Sequence, residues 1–393
     1  MGGVCAVLRA ESVDLPKFAH NRQTSREPMR AAFTLVLVMA SAVPTASVGQ
    51  TIHLRSESEE KTFIGGQWFI NYRVGEATGE DLNRFGVDRG YITIRHQLTD
   101  RLSGRITPDV SVDREGDGEG DLELRLKYAF IDYALDDIWI FTQPHVEFGL
   151  VHRPWLDFEE HVNYYRVQGT MFLERNHIFN SGDYGFTVFS MFGGQMDEEY
   201  RERVNSRYPG RYGSFAIGLY NGGGYHAIEK NTNKSLEARL TLRPLPKALP
   251  GLQLSYHGVY GKGNEGDKPD WTVSLLFVGW ESPHLVLTGQ YYWGKGNMRG
   301  TAVDDDGNAL RQDGASLFAE MRSRRNGLSL IGRIDLFDDT PDIAADHRRR
   351  FVLGAAYYVQ GNTKLLLDYD SEKRRGTDAV ESRLLKFSVE FAF

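Results

Sequence analysis

From residue 63 onward, apolar and polar residues alternate with a period of two in one segment after another. In the final segment Leu385, Phe387, Val389, Phe391 and Phe393 share one face, and mostly polar residues share the other. The same alternation recurs in residues 102–113, 235–243 and 328–335. It predicts β-strands with one apolar and one polar face, as in a membrane barrel or a soluble sandwich.

Three features favour the membrane barrel over the sandwich. Many polar faces carry full charges, which a tightly packed sandwich does not need. The chain ends on the aromatic residue Phe393, as the last strands of bacterial outer-membrane barrels do. Aromatic residues also cluster near the ends of the apolar faces, where girdles form at membrane interfaces. The clusters are Trp68 with Tyr72, Tyr256 with Tyr260, Trp271 with Phe277, and Tyr291 with Trp293.

The alternating segments number about sixteen, and bacterial single-chain barrels have even strand numbers. The predicted strands are 63–73, 87–98, 101–113, 121–134, 138–152, 183–193, 212–221, 235–244, 251–261, 270–280, 284–294, 315–322, 327–337, 348–359, 363–370 and 382–393. Short turns alternate with longer polar loops, such as 74–86 and 153–182, although the long connection 194–211 falls on the short-turn side. The predicted fold class is all-β, a transmembrane antiparallel barrel with both termini in the periplasm.

The N-terminus has the three parts of a secretory signal. Arg22, Arg26 and Arg30 precede the apolar stretch 31–43, and small residues follow it. We expect residues 1–49 to be cleaved and residues 50–393 to form the barrel in the bacterial outer membrane. Cleavage would change the net charge from −7 to −9, because residues 1–49 carry five basic and three acidic residues. An acidic exported protein is not expected to bind nucleic acid.

Composition excludes other classes of protein. No run approaches the roughly 20 apolar residues that a membrane-spanning helix needs, so a helical polytopic membrane protein is excluded. Cys5 is the single cysteine of the 393 residues, which leaves no disulfide or cysteine-based site in the predicted barrel. No cofactor or metal site is predicted, and the acidic stretches 113–121 and 304–308 are interpreted as solvated loops rather than Ca²⁺ sites.

Motifs along the predicted strands resemble those of the phosphate-selective porin O and P family of outer-membrane channels. They are Phe85-Gly86-Val87-Asp88-Arg89-Gly90-Tyr91, the Asp109 strand, Ala129-Phe130-Ile131-Asp132-Tyr133, Glu147-Phe148-Gly149-Leu150 with Pro154, residues 218–224, the Arg239 strand ending at Pro244, and Arg333-Ile334-Asp335 followed by Phe337-Asp338-Asp339. The resemblance covers nearly all of the predicted barrel. It implies sixteen strands, an inward-folded long third external loop and, in many members, a homotrimer.

Loop 153–182 is the longest external connection and therefore the candidate constriction of a pore. Its site candidates are Glu159, Glu160, Arg166 and Arg175. The candidates on the barrel wall are Arg105, Arg125, Arg239 and Arg333. The polar strand faces carry twelve basic and ten acidic side chains, so the sequence predicts weak ion selectivity. The loop has no lysine and is mixed to acidic, unlike the dense basic ladder that phosphate selectivity requires.

These observations predict a porin-like passive diffusion channel for small hydrophilic or ionic solutes, embedded in outer-membrane lipid, and not an enzyme. One alternative is a closed or plugged outer-membrane barrel with a structural or adhesive role. A second is an outer-membrane lipid hydrolase, which would need a clustered serine and histidine that nothing in the sequence brings together. The dinucleotide-like pattern at 261–266 lacks the surrounding strand–helix–strand unit that such a site needs.

Overall fold

The computed structural model describes residues 61–113, 119–323, 326–339, 347–375 and 380–393. They contain sixteen strands in one closed antiparallel barrel, in which each strand pairs with its neighbours in the chain and the first pairs with the last. This confirms the predicted architecture. The strands are β1 Thr62–Ala77, β2 Glu80–Gln97, β3 Leu102–Val112, β4 Leu122–Ala134, β5 Phe141–His152, β6 Gly182–Phe192, β7 Gly213–Tyr220, β8 Ser235–Leu242, β9 Leu252–Lys262, β10 Asp270–Glu281, β11 Leu285–Lys295, β12 Arg311–Arg322, β13 Leu328–Asp338, β14 His347–Gln360, β15 Thr363–Arg374 and β16 Val380–Ala392.

The helices of the described residues are short and lie in two of the connections. They are α1 Leu156–Glu160 and α2 Phe172–Arg175 between β5 and β6, and α3 Glu198–Arg203 between β6 and β7, with a 3₁₀ turn at Arg166–Gln168. No helix among the described residues is long and apolar enough to cross a membrane. The expected signal segment, residues 1–49, lies outside the described residues, so its cleavage stays a prediction.

The two faces of each strand have opposite polarity, and the apolar face is the exposed one. On β13, Leu330 and Ile334 are about half exposed, whereas Arg333 and Asp335 are buried inside the barrel. A soluble protein would bury the leucine and expose the arginine. An apolar outer surface is what a lipid environment requires, so the strand pattern of the sequence follows directly from the surroundings of the barrel.

Closure of the barrel depends on β1 and β16. Their register runs from Gln67 opposite Ala392 to Ala77 opposite Ser382, and Gly66 and Phe393 exchange both backbone hydrogen bonds. The C-terminal residue therefore takes part in the last pair of the seam. With this seam formed, the sheet has no free edge whose N–H and C=O groups would face lipid unpaired.

The predicted loop 74–86 is wrong, because β1 and β2 continue through it as a hairpin. The turn consists of Thr78 and Gly79, both with positive φ (54° and 81°). Two positive φ values in a two-residue turn match the twist of the flanking strands. The polar residues that suggested a loop, such as Glu80 and Asp81, instead extend the two strands.

The interface-girdle interpretation is wrong for Trp271 and Phe277. Both side chains are buried inside the barrel, and the outward positions of β10 are also apolar, with Leu276 and Val278 exposed. A strand that is apolar on both faces has a packed partner on the inside as well as lipid on the outside. For β10 that partner is the connection between β5 and β6.

We predict that arginine is tolerated on the inner but not the outer face. Ile334 lies outward near the middle of β13, so Ile334→Arg should cost about 2–4 kcal/mol if it faces the bilayer midplane. Gln67 lines an internal cavity beside Glu390, so Gln67→Arg should cost far less. Urea unfolding in lipid vesicles measures both variants, and equal losses would contradict the facing assignment.

Candidate functional site

The connection between β5 and β6, residues 153–181, lies within the barrel, and we call it the inner segment. Its apolar residues Trp155, Leu156, Phe158 and Phe172 are fully buried. They belong to one cluster that is formed mainly by inward residues of β9 to β15 and also includes Phe69 of β1 and Tyr91 of β2. The ring of Trp155 lies 5.3 Å from that of Phe277, centroid to centroid. One side of the barrel interior is therefore filled by protein, which explains why β10 has apolar residues on both faces.

A buried ion pair fixes the start of the inner segment. Arg153 donates from Nε to Oε1 of Glu237 at 2.8 Å, and its Nη2 lies 2.6 Å from the same oxygen. Both side chains have no solvent exposure, as has the neighbouring Asp183, 3.7 Å from Arg153 Nη2. Trp271 stacks on the guanidinium at 4.9 Å. A buried pair of this kind is costly to break one partner at a time.

Polar contacts hold the inner segment to the strands on the far side of the barrel. The hydroxyl of Tyr165 donates to Glu320 on β12 at 2.8 Å, and Arg175 donates to Asp335 on β13 at 3.2 Å. Lys386 on β16 donates from Nζ to the backbone oxygen of the inner segment's 3₁₀ turn at 2.8 Å. The inner segment therefore extends from β5 across the interior to β16.

The long connection on the short-turn side also contacts the inner segment. We call residues 193–212 the turn-side segment. Tyr208 donates its hydroxyl hydrogen to Asp157 at 2.5 Å, and Asn205 donates to the backbone oxygen of His161 at 2.8 Å. Arg207 lies 3.6 Å from the Asp157 carboxylate. The length and charge of this connection allow it to support the inner segment from the short-turn side.

Of the predicted wall residues, Arg239 and Arg333 do not line open space. Arg239 is buried, donates to the backbone oxygen of Pro154, and lies 4.6 Å from the ring of Phe158. Arg333 is buried and donates to Asp335 and to the backbone oxygen of Thr170. These two predictions of pore lining need correction, because the inner segment covers that part of the wall. The side chains anchor the segment.

The other two wall candidates lie on β3 and β4, away from the apolar cluster. Arg105 is half buried, donates to Thr107, and lies hydrogen-bonded to His152 at 2.9 Å. Arg125 is half exposed and lies 3.7 Å from Asp109. The β2–β4 side of the interior is therefore the side that remains accessible.

The four loop candidates differ in whether they border a cavity. Glu159 is buried and accepts hydrogen bonds from Trp155 and Gln290, so it does not line a pore and that prediction is corrected. Glu160, Arg166 and Arg175 each border one of the two cavities described below. Glu160 lies 2.9 Å from Arg166, which also binds Glu174.

Two cavities lie between the inner segment and the wall. The turn-side cavity has a volume of about 690 Å³ and is bordered by β1 to β4 and the turn-side segment. The loop-side cavity has a volume of about 380 Å³ and lies toward the longer loops. Tyr91, Arg166 and Glu160 meet between them, with Arg166 Nη2 3.5 Å from the Tyr91 hydroxyl. This contact joins residues that line the turn-side cavity to a residue that lines the loop-side cavity.

Basic side chains dominate both cavities. The turn-side cavity is lined by Arg95, Arg105, Lys127, Arg201, Arg203 and Arg207 against Asp157, Glu160 and Glu202. The loop-side cavity is lined by Arg73, Arg89, Arg166, Arg175, Arg350 and Lys386 against Asp88 and Asp370. The near balance of charge counted over all polar strand faces does not hold here, because many acidic side chains pair with arginines under the inner segment.

Four of these cations form a column on β2–β4 without a salt bridge to any described carboxylate. They are Arg89, Lys127, Arg105 and Arg95, in order from the loop side to the turn side. Arg95 and Arg105 are directly opposite in the register of β2 and β3. Arg89, Arg95 and Lys127 are not among the site residues predicted from the sequence. The signal was present, because strand alternation places Arg95, Arg105 and Lys127 on the same face.

Two carboxylates of the inner segment have displaced pKa values in opposite directions. Burial alone would raise the pKa of Asp157, but Arg207, His161 and His152 outweigh it and hold the pKa well below its usual range. Burial raises the pKa of Glu159 to about 7, although the hydrogen bond from Gln290 opposes the shift.

Among the residues that the structure describes, no group of three or more His, Cys, Asp or Glu side chains is placed to hold a metal ion.

No protein-family model matches the chain, and no curated protein matches its sequence. Its structure is similar to that of an anion-selective porin from Comamonas acidovorans, with 13% identity and a TM-score of 0.59 over 84% of this chain and 99% of that one. It is also similar to the outer membrane channel DcaP of Acinetobacter baumannii (14%, TM-score 0.53, 86% and 99%). A third similar structure is OmpT, an outer membrane protein of Vibrio cholerae in trimer form (10%, TM-score 0.53, 85% and 100%). At these identities the structural similarity shows a shared barrel fold, and the resemblance to the phosphate-selective family stays a prediction.

We predict that the Arg153–Glu237 pair stabilises the inner segment only as a pair. Arg153→Met should cost about 3–5 kcal/mol of unfolding free energy, because it leaves a buried carboxylate without its partner. The double variant R153M/E237Q should recover much of this loss, as coupled sites do. Urea unfolding measures all three proteins. Equal losses in the single and double variants would show that the two side chains are not coupled.

We predict that Glu159 makes the barrel less stable as pH rises from about 4.5 to about 7. In that range the folded carboxyl keeps a proton that the unfolded chain has lost, so stability falls with rising pH and levels off above the folded pKa. Glu159→Gln should remove this slope, whereas Glu199→Gln, an exposed carboxyl on α3, should keep it. Unfolding midpoints at pH 5 and pH 8 measure the difference, and a slope unchanged by Glu159→Gln contradicts the assignment.

Proposed function

We propose that the protein is a passive diffusion channel of the bacterial outer membrane for small hydrophilic or ionic solutes. The observation that carries the proposal is the pair of cavities between the β2–β4 wall and the inner segment. Solutes pass from the loop-side cavity to the turn-side cavity at the contact of Tyr91, Arg166 and Glu160. A closed barrel with an apolar outer surface and a polar interior supports the membrane location.

The basic column refines the weak selectivity expected from the sequence. Arg89, Lys127, Arg105 and Arg95 follow the wall without carboxylate partners among the described residues, while Glu160 and Asp157 lie on the opposite side. Field strength in a narrow pore depends on the charges nearest the solute. We therefore propose a preference for anions, although the net charge of the whole chain is −7.

Assembly as a homotrimer in outer-membrane lipid, after removal of a signal peptide, completes the proposal. A trimer form is named for the structurally similar protein from Vibrio cholerae. Closed barrels of this kind expose their apolar surface to lipid or to a second copy. Crosslinking in native membranes measures the assembly directly.

One observation favours a second candidate, the closed or plugged barrel. The inner segment fills one side of the interior, and the contact of Tyr91, Arg166 and Glu160 separates the two cavities. If that contact does not open, the protein has a structural or adhesive role. Single-channel recording in planar bilayers decides between the two, because a plugged barrel gives no conductance steps.

We predict conductance steps and a reversal potential in asymmetric KCl that shows chloride to be more permeant than potassium. The double variant R89Q/R105Q removes two positive charges of the basic column and should move the reversal potential toward cation preference. Lys295→Gln, which removes a cation near the long-loop end of β11, is the matched control and should leave it unchanged. An unchanged potential in R89Q/R105Q would show that the column does not border the path.

A further inference from the structure

Lys127 is a buried cation without a carboxylate partner. It lies on β4 with 4% of its surface exposed, and the structure gives its ammonium no hydrogen bond or ion pair among the described residues. Its nearest contacts are aromatic, with Nζ 4.1 Å from the ring centre of Tyr91 and 5.4 Å from that of Tyr128. The side chain also borders the turn-side cavity, and cation–π contacts replace an anionic partner only in part.

Three carboxylates on this side of the interior pair with other cations. Glu160 and Glu174 both bind Arg166, at 2.9 Å for Glu160. Asp109 faces Arg125 at 3.7 Å and accepts a hydrogen bond from a tyrosine hydroxyl. None of these carboxylates forms an ion pair with Lys127 in the structure. Its ammonium is therefore available to an anion that enters the cavity.

The surroundings of Lys127 fit a carboxylate. Arg105 borders the same cavity, donates from Nε to Thr107 and from Nη1 toward His152, and its Nη2 has no partner among the described residues. The ammonium and the remaining guanidinium N–H groups provide donors for two oxygens. A phosphate dianion needs a larger set of converging donors. The contacts that the structure gives the Lys127 ammonium are with the rings of Tyr91 and Tyr128.

The cavity also has room and apolar surface for the rest of an organic acid. Its volume of about 690 Å³ lies within the range of small-molecule sites. Tyr91, Tyr128, Tyr164 and Phe63 contribute aromatic surface to its lining. Aromatic side chains bind planar apolar groups through stacked or edge-on contacts. This lining favours an acid with a planar apolar body over a small fully hydrated anion.

We infer that the turn-side cavity contains a binding site for small organic carboxylates with a planar apolar body, held by Lys127 and Arg105. The inference rests on the proposed channel function for its route of access. It names the class of solute that the channel holds during passage. Solutes of this class enter from the loop-side cavity and exchange at Lys127 before they leave past the turn-side segment.

Block of chloride current by added benzoate, acetate or phosphate tests the inference in the full barrel reconstituted in planar bilayers. Benzoate should block at a concentration about ten-fold below that of acetate or phosphate. Lys127→Gln should weaken the benzoate block about ten-fold or more, as expected for loss of a charge-assisted hydrogen bond. Lys127→Arg should retain most of it. Lys373→Gln, an exposed lysine on β15, should leave it unchanged.

Each other outcome has a definite meaning. Block by phosphate at or below the benzoate concentration would overturn the carboxylate assignment in favour of a multidentate oxyanion site. Equal block by benzyl alcohol would show apolar binding without the ammonium. Chloride current that no anion blocks would overturn the site while leaving the channel function intact. If no current flows, calorimetric titration of benzoate into the purified barrel measures the site independently, and absence of heat that depends on Lys127 overturns it.

Discussion

The seam between β1 and β16 is the constraint from which the rest of the structure follows. Within lipid no water can satisfy a free N–H or C=O group, so a sheet is stable there only when its edges pair. The register from Gln67 to Ala77 provides that pairing, and Phe393 extends it to the last residue. Closure then forces alternate side chains outward and inward along all sixteen strands. The exposed leucines of β13 and the buried charges between them are one consequence.

Closure also creates an interior that the chain has to fill or leave to water. On the side of β9 to β15 it is filled, because the inner segment places Trp155, Phe158 and Phe172 against inward apolar residues. On the side of β2 to β4 it is open, and basic side chains border the two cavities. The division of the interior into a packed side and a basic side is what turns a closed barrel into a candidate channel. The turn-side segment strengthens this division by binding Asp157 through Tyr208.

The buried ion pair of Arg153 and Glu237 joins the start of the inner segment to β8. It lies where the inner segment leaves β5, and any tilt of the segment there would change the width of the basic side. Full desolvation makes the pair specific in geometry rather than strongly stabilising, because the cost of burial offsets much of the attraction. The pair therefore fixes the position of the first residue of the inner segment. The contacts of Tyr165 and Arg175 with β12 and β13 define where it continues.

The amino-acid sequence alone determined the class of fold, the number of strands and most of their bounds, because a period of two beside lipid is a local property that each strand carries by itself. It did not determine the hairpin at Thr78 and Gly79, since polar residues occur in turns and in strand ends alike. Trp271 and Arg239 show what only the tertiary structure decided. Their strand positions are readable, but whether an inward side chain meets water or protein depends on a segment that is distant along the chain. For the same reason the sequence does not show that Lys127 lacks an ion pair. The carboxylates of Glu160, Glu174 and Asp109 lie far from it in the chain, and they pair with Arg166 and Arg125.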